Sequence, residues 1–76
     1  MQDARAHVLC QVDPGRAREA TDYLTGVPGV TDAVMTSGAY DVIATVTATT
    51  EEALRGVLAR ARRTPGLCAL RTCRTG

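Results

Sequence analysis

Few side chains in this 76-residue sequence are suited to chemistry, and two of them are adjacent. Tyr40 and Asp41 sit just past Gly38, inside the stretch Thr36-Ser37-Gly38-Ala39-Tyr40-Asp41-Val42-Ile43. A glycine can take positive φ, so the chain can turn at Gly38 at little cost. A carboxylate beside it can hold an ammonium through a charge-assisted hydrogen bond. The phenol adds ring surface and a hydroxyl. The same residues also fit plainer roles. Asp41 can cap the amides of its own loop, as Asp does in turns, and Tyr40 can be packing covered by a second copy. Local sequence leaves both pairs of readings open.

The remaining candidates are weaker. Cys10, Cys68 and Cys73 are odd in number and form no C-x-x-C pair, and a lone His7 is a poor companion for a zinc site. Each cysteine is expected to be a small buried hydrophobe, with its thiol reduced. No metal and no cofactor is expected. His7 has no acid or nucleophile near it in sequence and reads as an exposed or half-covered strand residue.

Composition narrows the function classes. The formal charge is +1, and all nine basic residues are arginine. That balance argues against a broad nucleic-acid-binding face. Arg60, Arg62 and Arg63 crowd the end of a predicted helix, where positive charge is favoured by the helix dipole. The start, Met1-Gln2-Asp3-Ala4-Arg5, lacks the apolar core of a signal peptide, and no apolar run approaches a membrane span. A cytoplasmic protein is expected.

The elements that must position Tyr40 and Asp41 follow from periodicity. Alternation over residues 6–12 predicts a strand with Val8, Cys10 and Val12 on one face and His7, Leu9 and Gln11 on the other. Asp13 and Pro14 suit the cap and first position of a helix reaching about Leu24 or Thr25. Its inward stripe is Ala17, Ala20, Thr21 and Leu24; Tyr23 falls at the rim. Residues 30–37 form a second strand with no fully apolar face, which suits a sheet edge or a partner-covered strand. Residues 42–49 form the third and most apolar strand. Thr49 and Glu52 have capping-box spacing before a helix carrying Leu54, Val57, Leu58 and Ala61. Residues 67–74 form the last strand. Val27-Pro28-Gly29-Val30 and Thr64-Pro65-Gly66-Leu67 are a faint internal repeat, each closing a helix and opening a strand.

The order β-α-β-β-α-β predicts one α+β domain over residues 1–76, a ferredoxin-like sandwich. Right-handed crossovers put both helices on one face of a four-stranded antiparallel sheet. The other face, with Val, Ile and Ala, is left bare. In a chain with 45% apolar residues but no Trp or Phe, the thin core gains by packing on a second copy. An oligomer is therefore expected.

The ordered set Val12-Asp13-Pro14-Gly15-Arg16, Val27-Pro28-Gly29-Val30, Gly38-Ala39-Tyr40-Asp41-Val42-Ile43 and Thr64-Pro65-Gly66 resembles the effector-binding (RAM) domain of the Lrp/AsnC transcription-factor family, from about His7 to Cys73. The resemblance is to a stand-alone form without the helix-turn-helix domain. It implies pairing through the sheet faces in the manner of a dimeric α/β barrel, and assembly of dimers into larger rings. It implies an amino acid or related small-molecule effector bound where dimers meet. The implied effector-binding residues are Gly38, Ala39, Tyr40 and Asp41, with Thr72 on the last strand. Leu70 stands where family members commonly carry a Thr. Transcription would be modulated through oligomerisation, with no direct contact to nucleic acid or membrane, and possible co-assembly with a full-length family regulator.

Two other readings compete. Asp13-Pro14-Gly15 also resembles the strand-to-helix turn of ACT-type amino-acid sensors, whose ligand lies near the first strand–helix loop. A dimeric α+β barrel enzyme would use His7 or Tyr40 in a cavity between sheets; the sequence offers it no base–nucleophile pair, and no enzyme is expected. A copper chaperone would need C-x-x-C, and an RNA binder would need stacking aromatics on the inner strands.

Overall fold

The computed structural model describes residues 3–75. Met1 and Gln2, on which part of the N-terminal reading rests, lie outside the described residues. The elements follow the predicted order: β1 Ala4–Val12, α1 Ala17–Thr25, β2 Val30–Met35, β3 Val42–Ala48, α2 Glu51–Ala61 and β4 Leu67–Thr75. The strands form one antiparallel sheet in the order β2-β3-β1-β4. The fold is the ferredoxin-like sandwich that the periodicity predicts.

Alternation decides the two faces. Ala6, Val8, Cys10 and Val12 on β1 and Val42, Ala44 and Val46 on β3 point to the helices and are buried. Ala20 and Leu24 of α1 and Leu54 and Ala61 of α2 close that layer. Full burial of one such leucine is worth about 1.5–3 kcal/mol. Helix α1 packs on β2 and β3, and α2 on β3 and β1. Strand β4 falls outside both main contacts. Tyr23, at the predicted rim, ties the helices together by donating its hydroxyl proton to the Arg60 carbonyl at 2.8 Å.

The internal repeat is a repeated turn. Val30 N donates to Val27 O at 3.0 Å, and Leu67 N donates to Thr64 O at 3.2 Å. Gly29 (φ 99°) and Gly66 (φ 76°) each directly follow a proline as the third residue of the turn, the type II arrangement that requires positive φ there. Gly29 is also sterically demanded, since a Cβ on it would lie 2.5 Å from Val57 Cγ2.

Three local expectations fail. First, α1 begins at Ala17, with Arg16 at its N-cap position and no side-chain cap. Asp13-Pro14-Gly15 is a turn instead, closed by Arg16 N donating to Asp13 O at 3.1 Å. Asp13 is engaged elsewhere: its amide donates to Gly66 O at 2.9 Å, and its carboxylate receives the Cys68 thiol. Second, the α2 cap is Thr50 rather than Thr49, its hydroxyl accepting from Ala53 N at 3.0 Å. Third, only Cys10 is a buried hydrophobe; Cys68 and Cys73 are exposed. Cys73 pairs with His7 on the open sheet face, and Cys68 falls where the β1–β4 register shifts at the sheet end. Burial pushes the Cys10 thiol up to about 11.

Candidate functional site

The β2–β3 loop carrying Gly38, Ala39, Tyr40 and Asp41 is anchored rather than free. Thr36 N donates to Asp41 O at 2.9 Å across its base, and the Thr36 hydroxyl donates to the Tyr40 carbonyl. Three further bonds tie it to the end of β1. Asp41 N donates to Cys10 O at 2.8 Å, Val12 N donates to Asp41 Oδ2 at 2.9 Å, and Gln11 Nε2 donates to Ala39 O at 3.0 Å. The sequence explains the geometry. Val42 must point into the core, so Asp41 points the other way at the strand's mouth, beside the last pair of the β1–β3 ladder, Cys10 and Val42.

Asp41 thus has a structural duty that differs from either local reading. It terminates the neighbouring strand instead of capping its own loop. A carboxylate has acceptor capacity beyond that one bond, at the second oxygen. Tyr40 is half-buried, and Gly38 and Ala39 are exposed.

Gly38 departs from expectation. It does not take positive φ, and a Cβ built on it would meet nothing within 4 Å. The loop closes through Thr36 and Asp41, so it needs no left-handed residue at its tip. Nothing within the chain demands glycine there.

Thr72 is not brought to this loop. It pairs with Val8, while Asp41 bonds to Val12, four residues along β1. That is about 13 Å. Its side chain shares the helix-covered face with Val8, and its hydroxyl is buried without a partner. Leu70 pairs with Cys10 on the same face and packs against the core. Its apolar character is therefore accounted for by packing.

Residues that sequence reading assigned elsewhere join the loop end of the sheet. Gln11 read as an outward strand residue, yet it holds the loop. Cys68 Sγ donates to Asp13 Oδ1 at 3.0 Å. That hydrogen bond raises the thiol's pKa, with desolvation and the charges of Asp13 and Asp41 adding to it. The thiol is held protonated, the opposite of an activated nucleophile. Asp13 and Asp41 thus share one end of the sheet, although 28 positions separate them in sequence. No sequence spacing signals that meeting. Among the described residues, no group of three or more His, Cys, Asp and Glu side chains is arranged to hold a metal.

The open sheet face has a shallow depression of about 350 Å³ lined by His7, Leu9, Ile43 and Cys73. His7 and Cys73 are cross-strand neighbours, a base and a thiol that the sequence keeps far apart. The His7 contact is to Thr45, Nδ1 to Oγ1 at 3.3 Å.

This fold recurs in solved structures. A hypothetical protein from Pyrococcus horikoshii superposes with TM-score 0.88 at 26% identity, over 96% of this chain and 89% of its own. FFRP-DM1 superposes with TM-score 0.87 at 26% identity, over 96% of this chain and 99% of its own. AsnC of E. coli superposes with TM-score 0.84 at 19% identity, over 95% of this chain but 50% of AsnC. The structural neighbours are Lrp/AsnC-family proteins. Their match runs the length of the chain, as a RAM-like domain requires, and agrees with the motif resemblance. No family model and no curated protein matches the chain. No helix among the described residues is long and apolar enough to cross a membrane.

Proposed function

We propose that this chain is an effector-binding regulatory module. It senses an amino acid or related small molecule and modulates transcription through its own assembly, in the cytoplasm and without touching DNA. The observation that carries this reading is the Asp41 carboxylate, fixed at the sheet end by Val12 N at 2.9 Å. On the same loop lies Gly38, exposed, where a Cβ would meet nothing within 4 Å. A fixed carboxylate next to an accessible loop backbone suits an α-ammonium and its neighbouring polar atoms. Gly38, Ala39, Tyr40 and Asp41 form the loop's share of the proposed site, with Thr72 of β4 as its proposed polar contact from elsewhere in the assembly.

A second copy covers the open sheet face in this reading, and dimers join into a larger homo-oligomer. Co-assembly with a full-length family regulator is the extension of the same contact. The near-neutral charge and the regulator neighbours support a role by assembly.

The test is a thermal-shift screen against the amino acids, repeated with Asp41→Asn. Asparagine keeps an acceptor for Val12 N and removes only the charge. A ligand at a hundredfold excess over its dissociation constant stabilises by about 2.7 kcal/mol. Wild type is expected to respond to at least one amino acid and the variant to lose the response. An equal response in both removes Asp41 from the site.

The Asp13-Pro14-Gly15 turn lies at the same sheet end, bonded to Gly66 and Cys68, and this favours a second reading as an ACT-type sensor. Asp13→Asn separates the two: it abolishes the response in the ACT arrangement and spares it in the first.

A further inference from the structure

The loop between β2 and β3 uses its backbone groups unevenly. Its last three carbonyls are all engaged: Ala39 O by Gln11 Nε2, Tyr40 O by the Thr36 hydroxyl, and Asp41 O by Thr36 N. Among the described residues, the amides of Ser37, Gly38, Ala39 and Tyr40 donate to no protein acceptor. A loop with paired carbonyls and free N–H groups presents fixed partial positive charge, the polarity that receives an anion.

Of the three bonds that tie the loop to β1, only one comes from a β1 side chain, that of Gln11. Cys10 pairs with Val42, so Gln11 stands opposite Asp41 at the sheet end. A trans peptide is planar, and its C=O and N–H point in opposite directions. Holding the Ala39 carbonyl toward β1 therefore turns the Tyr40 N–H away from β1, into the open. Stability does not account for the bond, because Gln11 and Ala39 are both exposed. An exposed hydrogen bond adds little, and ordering a glutamine side chain opposes it. We propose that Gln11 is a positioning residue for the loop. Its side-chain amide holds the Ala39–Tyr40 peptide so that the free N–H groups face outward and take the carboxylate of the ligand, while Asp41 takes its ammonium. This rests on the effector reading above. It adds the residue that orders the site and the half of the ligand that the loop backbone receives.

Two substitutions remove the bond in different ways. Methionine keeps the length of glutamine and has no N–H to donate. Glutamate keeps the shape, but its ionised carboxylate only accepts, so it repels the Ala39 carbonyl and sets a second negative charge beside Asp41. Position 11 is exposed, and neither side chain enters the core.

Heteronuclear NMR relaxation on the intact, ligand-free chain tests the positioning. The Tyr40 amide is expected to be ordered in wild type, with an order parameter of about 0.85, and to fall below about 0.6 in Gln11→Met and Gln11→Glu. Calorimetric titration with each standard amino acid, and with its α-carboxamide, tests the binding. For the amino acid that binds wild type, Gln11→Met is expected to raise the dissociation constant about fivefold or more, because the ordered loop becomes less populated. The carboxamide is expected to bind wild type at least about tenfold more weakly than the acid. A role in stability alone would lower the melting temperature of Gln11→Met and leave the dissociation constant unchanged. A Tyr40 amide as ordered in Gln11→Met as in wild type overturns the positioning, whatever ligand binds. A carboxamide that binds as tightly as the acid overturns the assignment of the carboxylate to the loop. A wild type that binds none of the amino acids overturns the effector reading and the ligand half of this one, and the relaxation data still decide whether Gln11 orders the loop.

Discussion

Replacing Asp41 separates its structural duty from its proposed binding duty. Val12 is nearly buried, at 8% exposure, and its amide donates to Asp41 Oδ2 at 2.9 Å. Asp41→Ala leaves that amide without its acceptor. An orphaned, nearly buried donor costs about 1–3 kcal/mol. In a domain this small each kcal/mol lowers Tm by roughly 4–8 °C, so a loss near the middle of the range lowers Tm by roughly 8–16 °C. Asp41→Asn keeps a neutral acceptor in place. It forfeits only the charge assistance, about 0.5–1 kcal/mol, or roughly 2–8 °C. Urea titration and thermal melts of the ligand-free variants measure both. The expected order is wild type, then Asn, then Ala. Equal losses for Ala and Asn, or an alanine variant as stable as wild type, would refute the claim that Asp41 ends β1.

Other outcomes follow from the same coordinates. Gly29→Ala is expected to cost about 2 kcal/mol or more, from positive φ and a 2.5 Å approach to Val57 Cγ2; Gly38→Ala is expected to be neutral or to stabilise by up to about 1 kcal/mol. Denaturant midpoints decide it, and a comparable cost at both sites would contradict the loop geometry. The raised Cys10 pKa makes stability depend on alkaline pH. The unfolded thiol ionises near 9.0 while the folded one stays neutral to about 11, so the contribution is present below pH 9 and is lost as pH rises through that window. Stability curves of wild type and Cys10→Ala should diverge in slope between pH 9 and 11; parallel curves would deny the shift.

Much of the fold was legible because its signals are local. Alternation in residues 6–12 and 42–49 encodes two strands with one buried face each, and the stripes through Leu24 and Leu54 encode two amphipathic helices. The twin Pro-Gly turns mark where each helix hands over to a strand. Chirality rules then leave one arrangement. The Gly38–Asp41 motif likewise identified the loop, and the structural neighbours agree with the family it resembles.

What the sequence determined by itself was therefore periodicity, order and a loop worth inspecting. Only the tertiary structure decided partnerships across long separations, because those depend on register and not on spacing. It assigned Asp41 to Val12, Gln11 to Ala39 and Cys68 to Asp13. It took Asp13 away from the helix it was expected to cap. It turned Thr72 toward the helix-covered face, one strand removed from the loop, because pairing with Val8 fixes which way that side chain points.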